Sequence, residues 1–200
     1  MKFVLASLLT AFSFSTFAAD AVPAGSYAID TAHSKIGFEI PHLVISTVEG
    51  RFNKFDGTIL VDPKLEKSKV NLSIDVSSVD TGNGDRDTHL KSPDFFDAAK
   101  SPKINFVSKK ISGTTDDLKV TGDLTIKGVT KEVTLDGKYL GTVTDPYGNN
   151  KIVFTASTKI NRKDFNLTWS KVVEAGPVVG DQAELKFRIE ANKPSATAKK

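Results

Sequence analysis

The 200-residue sequence predicts an all-β protein: an antiparallel barrel of eight strands with a short helical segment near residues 85–97. Two observations carry that expectation. Apolar and polar residues alternate in segment after segment, with the period of two that turns one face of a strand inward. The alternation is not filled in to continuous apolar runs, so each strand is buried on one face only, as antiparallel sheets allow and fully covered parallel sheets do not.

The strands follow in order. Residues 34–40 place Ile36, Phe38 and Ile40 on one side against Lys35 and Glu39. Over 48–62 the phase slips, because Val48, Gly50 and Phe52 are even whereas Phe55, Gly57, Ile59 and Val61 are odd, and a bulge at Asn53-Lys54 accounts for the slip. Residues 69–77 alternate Val70, Leu72, Ile74 and Val76 with Asn71, Ser73 and Asp75. Strands are expected next at 104–111, 118–127 (Leu118, Val120, Leu124 and Ile126 inward), 131–140 and 151–160. The last, 184–191, sets Leu185, Phe187, Ile189 and Ala191 against Glu184, Lys186, Arg188 and Glu190. Lys127-Gly128-Val129-Thr130 reads as a hairpin turn, and 145–150 (DPYGNN) as another. Eight strands in up-and-down order either fill a closed barrel with side chains or enclose one small ligand.

Two stretches break the pattern. Residues 85–96 (DRDTHLKSPDFF) suit a short helix or two 3₁₀ turns ended by Pro93, with Asn83 or Asp85 as N-cap. This length exceeds a simple hairpin, so it is expected to pack across one end as a plug, with Leu90, Phe95 and Phe96 inward and Arg86 in a structural ion pair. Residues 161–181 form a long irregular connection that holds the only tryptophan, Trp169. Long connections in compact domains more often serve function than not.

Residues 1–19 read as a signal peptide: Lys2 is followed by an uncharged run over 3–14, too short to span a bilayer, and then by small residues ending in Ala18-Ala19. Cleavage after Ala18, Ala19 or Ala21 satisfies the pattern. The expected organisation is therefore a leader at 1–19, one β-barrel domain at 20–191, and a polar, disordered tail at 192–200 (NKPSATAKK). No later segment approaches the roughly 20 apolar residues of a membrane helix. A soluble protein of an exported compartment is expected, the periplasm in a Gram-negative host.

Composition narrows the chemistry. Removing Lys2 with the leader lowers the formal charge from +3 to +2, and both signs are dispersed, so no nucleic-acid partner is expected. The absence of Cys excludes disulfides, thiolate metal sites and cysteine nucleophiles. His33, His42 and His89 lack metal-ligand spacing and read as hydrogen-bonding turn or strand-end residues. The oxygen-rich run 80–85 with Asp87 resembles a calcium loop only faintly, since Lys91 stands where the bidentate Glu belongs. There is no nucleophile elbow, no phosphate-cradling glycine loop and no marked carboxylate pair. The sequence therefore nominates no catalytic residue, no metal site and no cofactor. It offers instead nine Phe beyond residue 19, several on inward faces.

One resemblance covers nearly the whole chain after the leader. Tyr27-x-Ile29-Asp30-x-x-His33-Ser34-x-Ile36-x-Phe38 opens it, followed by His42, Gly50-x-Phe52-x-x-Phe55-x-Gly57 and Ser78-Val79-Asp80-Thr81-Gly82. Arg86-Asp87-x-His89-Leu90-Lys91-Ser92, Phe95-Phe96-Asp97 and Pro102-x-Ile104-x-Phe106 continue it. Gly122-x-Leu124-Thr125-Ile126-x-Gly128-Val129-Thr130-Lys131 and Arg162-x-Asp164-Phe165 complete it. Together they resemble the YceI-like family. The resemblance implies an exported, lipocalin-like barrel that binds a polyisoprenoid or another long-chain lipid in its interior. Where members commonly follow Asp-Phe with Gly, this chain has Asn166.

The expected hydrophobic slot comprises Phe38, Ile40, Phe52, Val70, Leu72, Phe106, Leu124, Phe154, Phe165, Trp169 and Phe187, with His42, Arg86, Asp87, His89 and Arg162 as polar residues of the mouth or plug. A homodimer is left open. Two other readings compete. An outer-membrane barrel would need aromatic girdles that one Trp and three Tyr cannot build. An enzyme on a lipid-like substrate would use His89 or His42 as acid or base with a nearby carboxylate.

Overall fold

A computed structural model describes residues 21–173 and 176–193. The signal peptide expected at 1–19 lies outside the described residues, as do tail residues 194–200. The first strands are β1 (Gly25–Ile29), β2 (Lys35–His42), β3 (Ser46–Phe52), β4 (Phe55–Val61), β5 (Lys69–Asp75) and β6 (Val79–Asp80). After α1 (Gly84–Lys91) come β7 (Lys103–Gly113), β8 (Leu118–Ile126), β9 (Val129–Thr144) and β10 (Asn150–Asn161). A small hairpin, β11 (Val172–Val173) with β12 (Gly176–Pro177), precedes the last strand, β13 (Gln182–Asn192).

Strands β1, β4, β5, β7, β8, β9, β10 and β13 pair in that order, and β13 returns to β1 through Ala28–Asn192 and Ile29–Ala191, closing an antiparallel barrel. β13 holds two partners along its length. One half pairs β1, and the other pairs β2 from Glu184–Glu39 to Arg188–Lys35. β1 and β2 are thus two halves of one kinked stave, as are β3 with β4 and β5 with β6. The eight strands read from the alternation correspond to these eight staves.

Three details differ from expectation. The phase slip at Asn53-Lys54 is a corner and not a bulge: β3 pairs β2 and β6, whereas β4 pairs β1 and β5. The N–H groups freed there still find acceptors, Asn53 on the Ser78 carbonyl (3.1 Å) and Lys54 on the Ser78 hydroxyl (2.9 Å). The second difference is β1, whose five residues are too few to display a period. It is anchored by buried Tyr27, whose hydroxyl donates to the Pro23 carbonyl at 2.9 Å. The third is that Asn192, assigned to the tail, is the last residue of β13.

The alternation sorts the two faces as its period demands. Ile36, Leu72, Ile74, Phe106, Leu124, Ile126 and Ile189 are buried inside, each contributing about 1.5–3 kcal/mol relative to exposure. Outside, the strands carry cross-strand ion pairs such as Lys109–Asp123, Lys119–Asp136 and Lys186–Glu39. This charged outer wall is the reverse of the apolar belt of a membrane barrel. Among the described residues no helix is long and apolar enough to cross a membrane.

One end of the barrel carries the irregular chain. Asn83 caps α1 by accepting from the Arg86 N–H at 3.0 Å, and Ser92 ends it just before Pro93. The connection after β10 starts as a 3₁₀ turn (Arg162–Phe165) ended by Asn166 in the left-handed region (φ 58°). Asn is among the few residues other than glycine that visit this conformation readily, so the departure from Gly leaves the turn intact. The Lys127 ammonium, on the β8–β9 hairpin, donates to the Pro93 carbonyl (2.8 Å) and the Asn166 carbonyl (3.2 Å), tying plug and connection together.

Candidate functional site

A cavity of about 420 Å³ opens inside the barrel, within the range of small-molecule pockets. A second, of about 100 Å³, lies on the side of β1 and β4, and Leu72, Phe106, Leu135 and Phe187 line both. These four residues are a wall common to the two cavities, the larger toward the plugged end and the smaller toward β1 and β4.

Two glycines make room for aromatic rings along these cavities. The Phe38 ring lies across Gly50, its cross-strand partner, where an added Cβ would sit 2.3 Å from the ring. The Phe106 ring covers Gly122 in the same way, at 2.7 Å. A side chain at Gly50 would displace the Phe38 ring, and one at Gly122 would meet the Val107 carbonyl oxygen at 2.4 Å as well as the Phe106 ring.

Most expected slot residues meet here. Phe38, Ile40, Phe52, Leu72, Phe106, Leu124, Trp169 and Phe187 line the larger cavity, and Val70 and Phe154 the smaller one. Phe165 is different: it is fully buried in the core and lines neither cavity, because the 3₁₀ turn directs it inward beneath the connection. The wall also includes residues outside the expected slot, among them Ile36, Ile74, Ile126 and Leu185. Their signal was present, since they share the inward phase of their strands. Leu167, Val178 and Val179 also line the cavity, and no periodicity marks them.

The polar side chains of the lining cluster at the plugged end. His42, Asp85, Arg86, His89 and Arg162 all contribute to the cavity surface there, while Asp87 does not. Leu90, Phe95 and Phe96 of the plug face the cavity as expected. Arg86 departs from expectation: its partners are not carboxylates. Its Nε donates to the Thr81 hydroxyl (2.7 Å) and a terminal nitrogen to the Thr81 carbonyl (2.8 Å). The Thr81 hydroxyl donates in turn to Asp87 (2.6 Å), so a threonine stands between Arg86 and the carboxylate of Asp87.

His89 Nε2 lies 2.9 Å from the Asp94 carboxylate. Its ring meets Phe95 and Trp169 edge-on, with centroids 5.0 and 4.8 Å away. His42 Nδ1 is 3.3 Å from the Ser46 hydroxyl at the end of β2. The buried Arg162 guanidinium staples the connection by donating to the carbonyls of Gly180 (2.8 Å), Leu167, Trp169 (2.8 Å) and Val179 (3.4 Å). Burial pushes its pKa down from the ordinary arginine value, opposed by the charge of Asp181.

A second polar cluster sits at the far end. Asp30, His33 and Glu190 bring ligand atoms close enough to share a cation. The two carboxylates hold the Lys151 ammonium, 2.6 Å from Glu190 and 3.3 Å from Asp30. Burial disfavours the charged form of Asp30, yet hydrogen bonds from His33, Asn192, Lys151 and the Ala32 N–H outweigh it and hold the carboxyl far below the usual carboxylate range. This cluster joins β1, β10 and β13 where the barrel closes, away from the cavity mouth.

The same architecture is found in known proteins. Protein YceI of Salmonella newport (strain SL254) is 40% identical over 193 residues, covering 95% of each chain. The crystal structure of Campylobacter jejuni YceI protein is 37% identical, covers 83% of this chain and 96% of its own, and superposes with a TM-score of 0.67. A polyisoprenoid binding domain from Saccharophagus degradans, implicated in plant cell wall breakdown, shares the fold at 18% identity, with 84% and 98% coverage and a TM-score of 0.63. The YceI-like domain model matches residues 27–191, from the buried tyrosine of β1 to the penultimate residue of β13. A family match across the whole barrel, together with relatives at this identity, establishes that the chain belongs to the YceI-like family.

Proposed function

We propose that this protein binds a polyisoprenoid or similar long-chain amphiphile inside its barrel, for transport or storage in the periplasm. The observation that carries the reading is the cavity itself: about 420 Å³ lined chiefly by aliphatic and aromatic side chains, with a second apolar cavity of about 100 Å³ across the wall of Leu72, Phe106, Leu135 and Phe187. Burying hydrocarbon contributes ~0.8 kcal/mol per CH₂, so a tail of several five-carbon units binds such a slot without any charged or catalytic group. Polar side chains gathered at the plugged end suit a head group that emerges there. The Saccharophagus degradans domain, described as polyisoprenoid binding, supports the assignment through its shared fold.

Leu124→Trp tests this. Leu124 is buried and lines the larger cavity in the middle of β8. In a slot, the added ring occupies volume that the tail would use, so the variant should keep its melting temperature and lose most of its uptake of a polyisoprenoid alcohol. In a filled core the same change overpacks and costs about 1–3 kcal/mol. A destabilised variant with unchanged uptake would contradict the reading.

His89 on the cavity surface, with the Asp94 carboxylate behind it at 2.9 Å, favours one second reading, an enzyme that transfers a proton on a lipid-like substrate. Chemical change in bound material on incubation, abolished in His89→Gln, would establish that reading over simple carriage.

A further inference from the structure

The four side chains common to the two cavities come from four different staves. Leu72 lies on β5, Phe106 on β7, Leu135 on β9 and Phe187 on β13. They stand at one level of the barrel. On β5 the inward residue on the plug side of Leu72, Ile74, lines the larger cavity alone, and the one on the other side, Val70, lines the smaller alone. Leu185 and Ile189 divide in the same way about Phe187 on β13. On β8 the division falls between Leu124 and Val120, and the residue at that level is Gly122, which lines neither cavity. The Phe106 ring takes its place. The layer is therefore one residue thick and crosses the interior.

Cross-strand neighbours hold its members. Leu72 and Phe106 are partners across β5 and β7, and the Phe106 ring lies over the bare Cα of Gly122. Leu135 faces Val120 across β8 and β9. Leu72, Phe106 and Leu135 are buried, whereas Phe187 is only partly buried. The partners of Phe187 are Ile36, on the larger cavity, and Ala156, on the smaller. Its ring is thus the one whose loss would join the two spaces.

Resting on the ligand reading above, we propose that this layer is the floor of the binding site and sets the length of tail that the protein holds. A tail laid in from the plugged end buries each further isoprene unit until it meets Phe106 and Phe187. Carbons beyond that length stay outside the cavity and gain nothing from apolar burial. Close-packed side chains do not part for a chain without cost. The space of about 100 Å³ behind the layer is walled by side chains such as Val70, Val120 and Ile189, which offer water nothing to bond to. It would take hydrocarbon once the floor is removed. The ligand class narrows accordingly, from long-chain amphiphiles in general to those whose tail ends at this layer.

The test is pairwise competition among all-trans isoprenoid alcohols from geraniol to solanesol, with the bound alcohol identified by native mass spectrometry. For wild type, each added isoprene unit should improve uptake about ten-fold up to one length and not at all past it. Phe187→Ala should move that break to a longer alcohol, favouring it about ten-fold over the wild-type optimum. Phe187→Leu, which disturbs the core less, should shift the break the same way by less. Val120→Phe fills the smaller cavity. Alone it should leave the wild-type break where it is, and combined with Phe187→Ala it should return the break to the wild-type length. A wild-type preference that rises without a break to solanesol would overturn the inference, as would a break that neither Phe187 variant moves. A break shortened by Val120→Phe alone would overturn it too, since the tail would already pass the layer. In these three cases uptake itself leaves the ligand reading standing. Wild type that takes up none of the alcohols would remove that reading, and the floor with it.

Discussion

Arg162 shows what one buried side chain does to a long connection. Its guanidinium donates to four carbonyls of residues 167–180, which no strand partner satisfies in the same way, and approaches Asp181 at 3.6 Å. Without it several buried acceptors lose their donor, and hydrogen bonds to charged groups contribute roughly 1.5–3 kcal/mol each. Arg162→Ala should therefore cost about 3 kcal/mol, a fall of about 6–12 °C in melting temperature for a chain of this size. Arg162→Lys should recover little, because one ammonium cannot reproduce the planar fork. Thermal melts followed by circular dichroism check both. From sequence, Arg162 could be marked as a polar residue of the mouth, but its stapling role could not be read: carbonyl acceptors 5 to 18 positions away leave no pattern in residue type. Phe165 was misplaced for a related reason, since the turn that buries it is set by Arg162 and Asn166 and not by periodicity.

Among the elements, the plug is the one whose behaviour follows most directly from its contacts. Thr81 links β6 to α1 by accepting from Arg86 and donating to Asp87. Removing Arg86 leaves the Asp87 contacts in place, so Arg86→Ala should lower stability by about 1–2 kcal/mol and leave the identity of the bound material unchanged. Unchanged stability with altered bound material, read by mass spectrometry, would instead make Arg86 a head-group residue. The strands were legible because one-faced burial imprints a period of two. The plug was legible as a break in that period, and Leu90, Phe95 and Phe96 were correctly turned inward because they are its large apolar residues. The corner at Asn53-Lys54 was legible only as a slip of phase. Bulge and corner shift the phase alike, and only the change of pairing partners separates them.

At the far end, closure depends on Lys151 held between Asp30 and Glu190. Glu190 hydrogen bonding raises the Lys151 pKa, against the opposing effect of burial. The sign for Asp30 follows from its lowered pKa: its contribution is complete above the unfolded value of about 3.9 and is lost as pH falls below it toward the folded value. Lys151 contributes fully below its unfolded value of about 10.4 and loses that contribution as pH rises through its raised folded value. Asp30→Asn should therefore melt below wild type near neutral pH, with the gap narrowing as pH falls from about 5 to about 2. A gap independent of pH would remove the charge of Asp30 from the closure.

For the whole molecule, the fold was readable from eight alternating segments, whereas whether the interior is filled or hollow was not. Inward Phe and Leu lists look the same for a packed core and a slot, and the difference lies in a few placements such as Phe38 across Gly50 and Phe106 across Gly122. Native mass spectrometry of protein recovered from its own host without detergent separates a hollow interior from a filled one. The expected result is a chain carrying extra mass that leaves on collisional activation and extracts into organic solvent as a long-chain amphiphile. A bare chain at every charge state, from protein that has never met detergent, would contradict it.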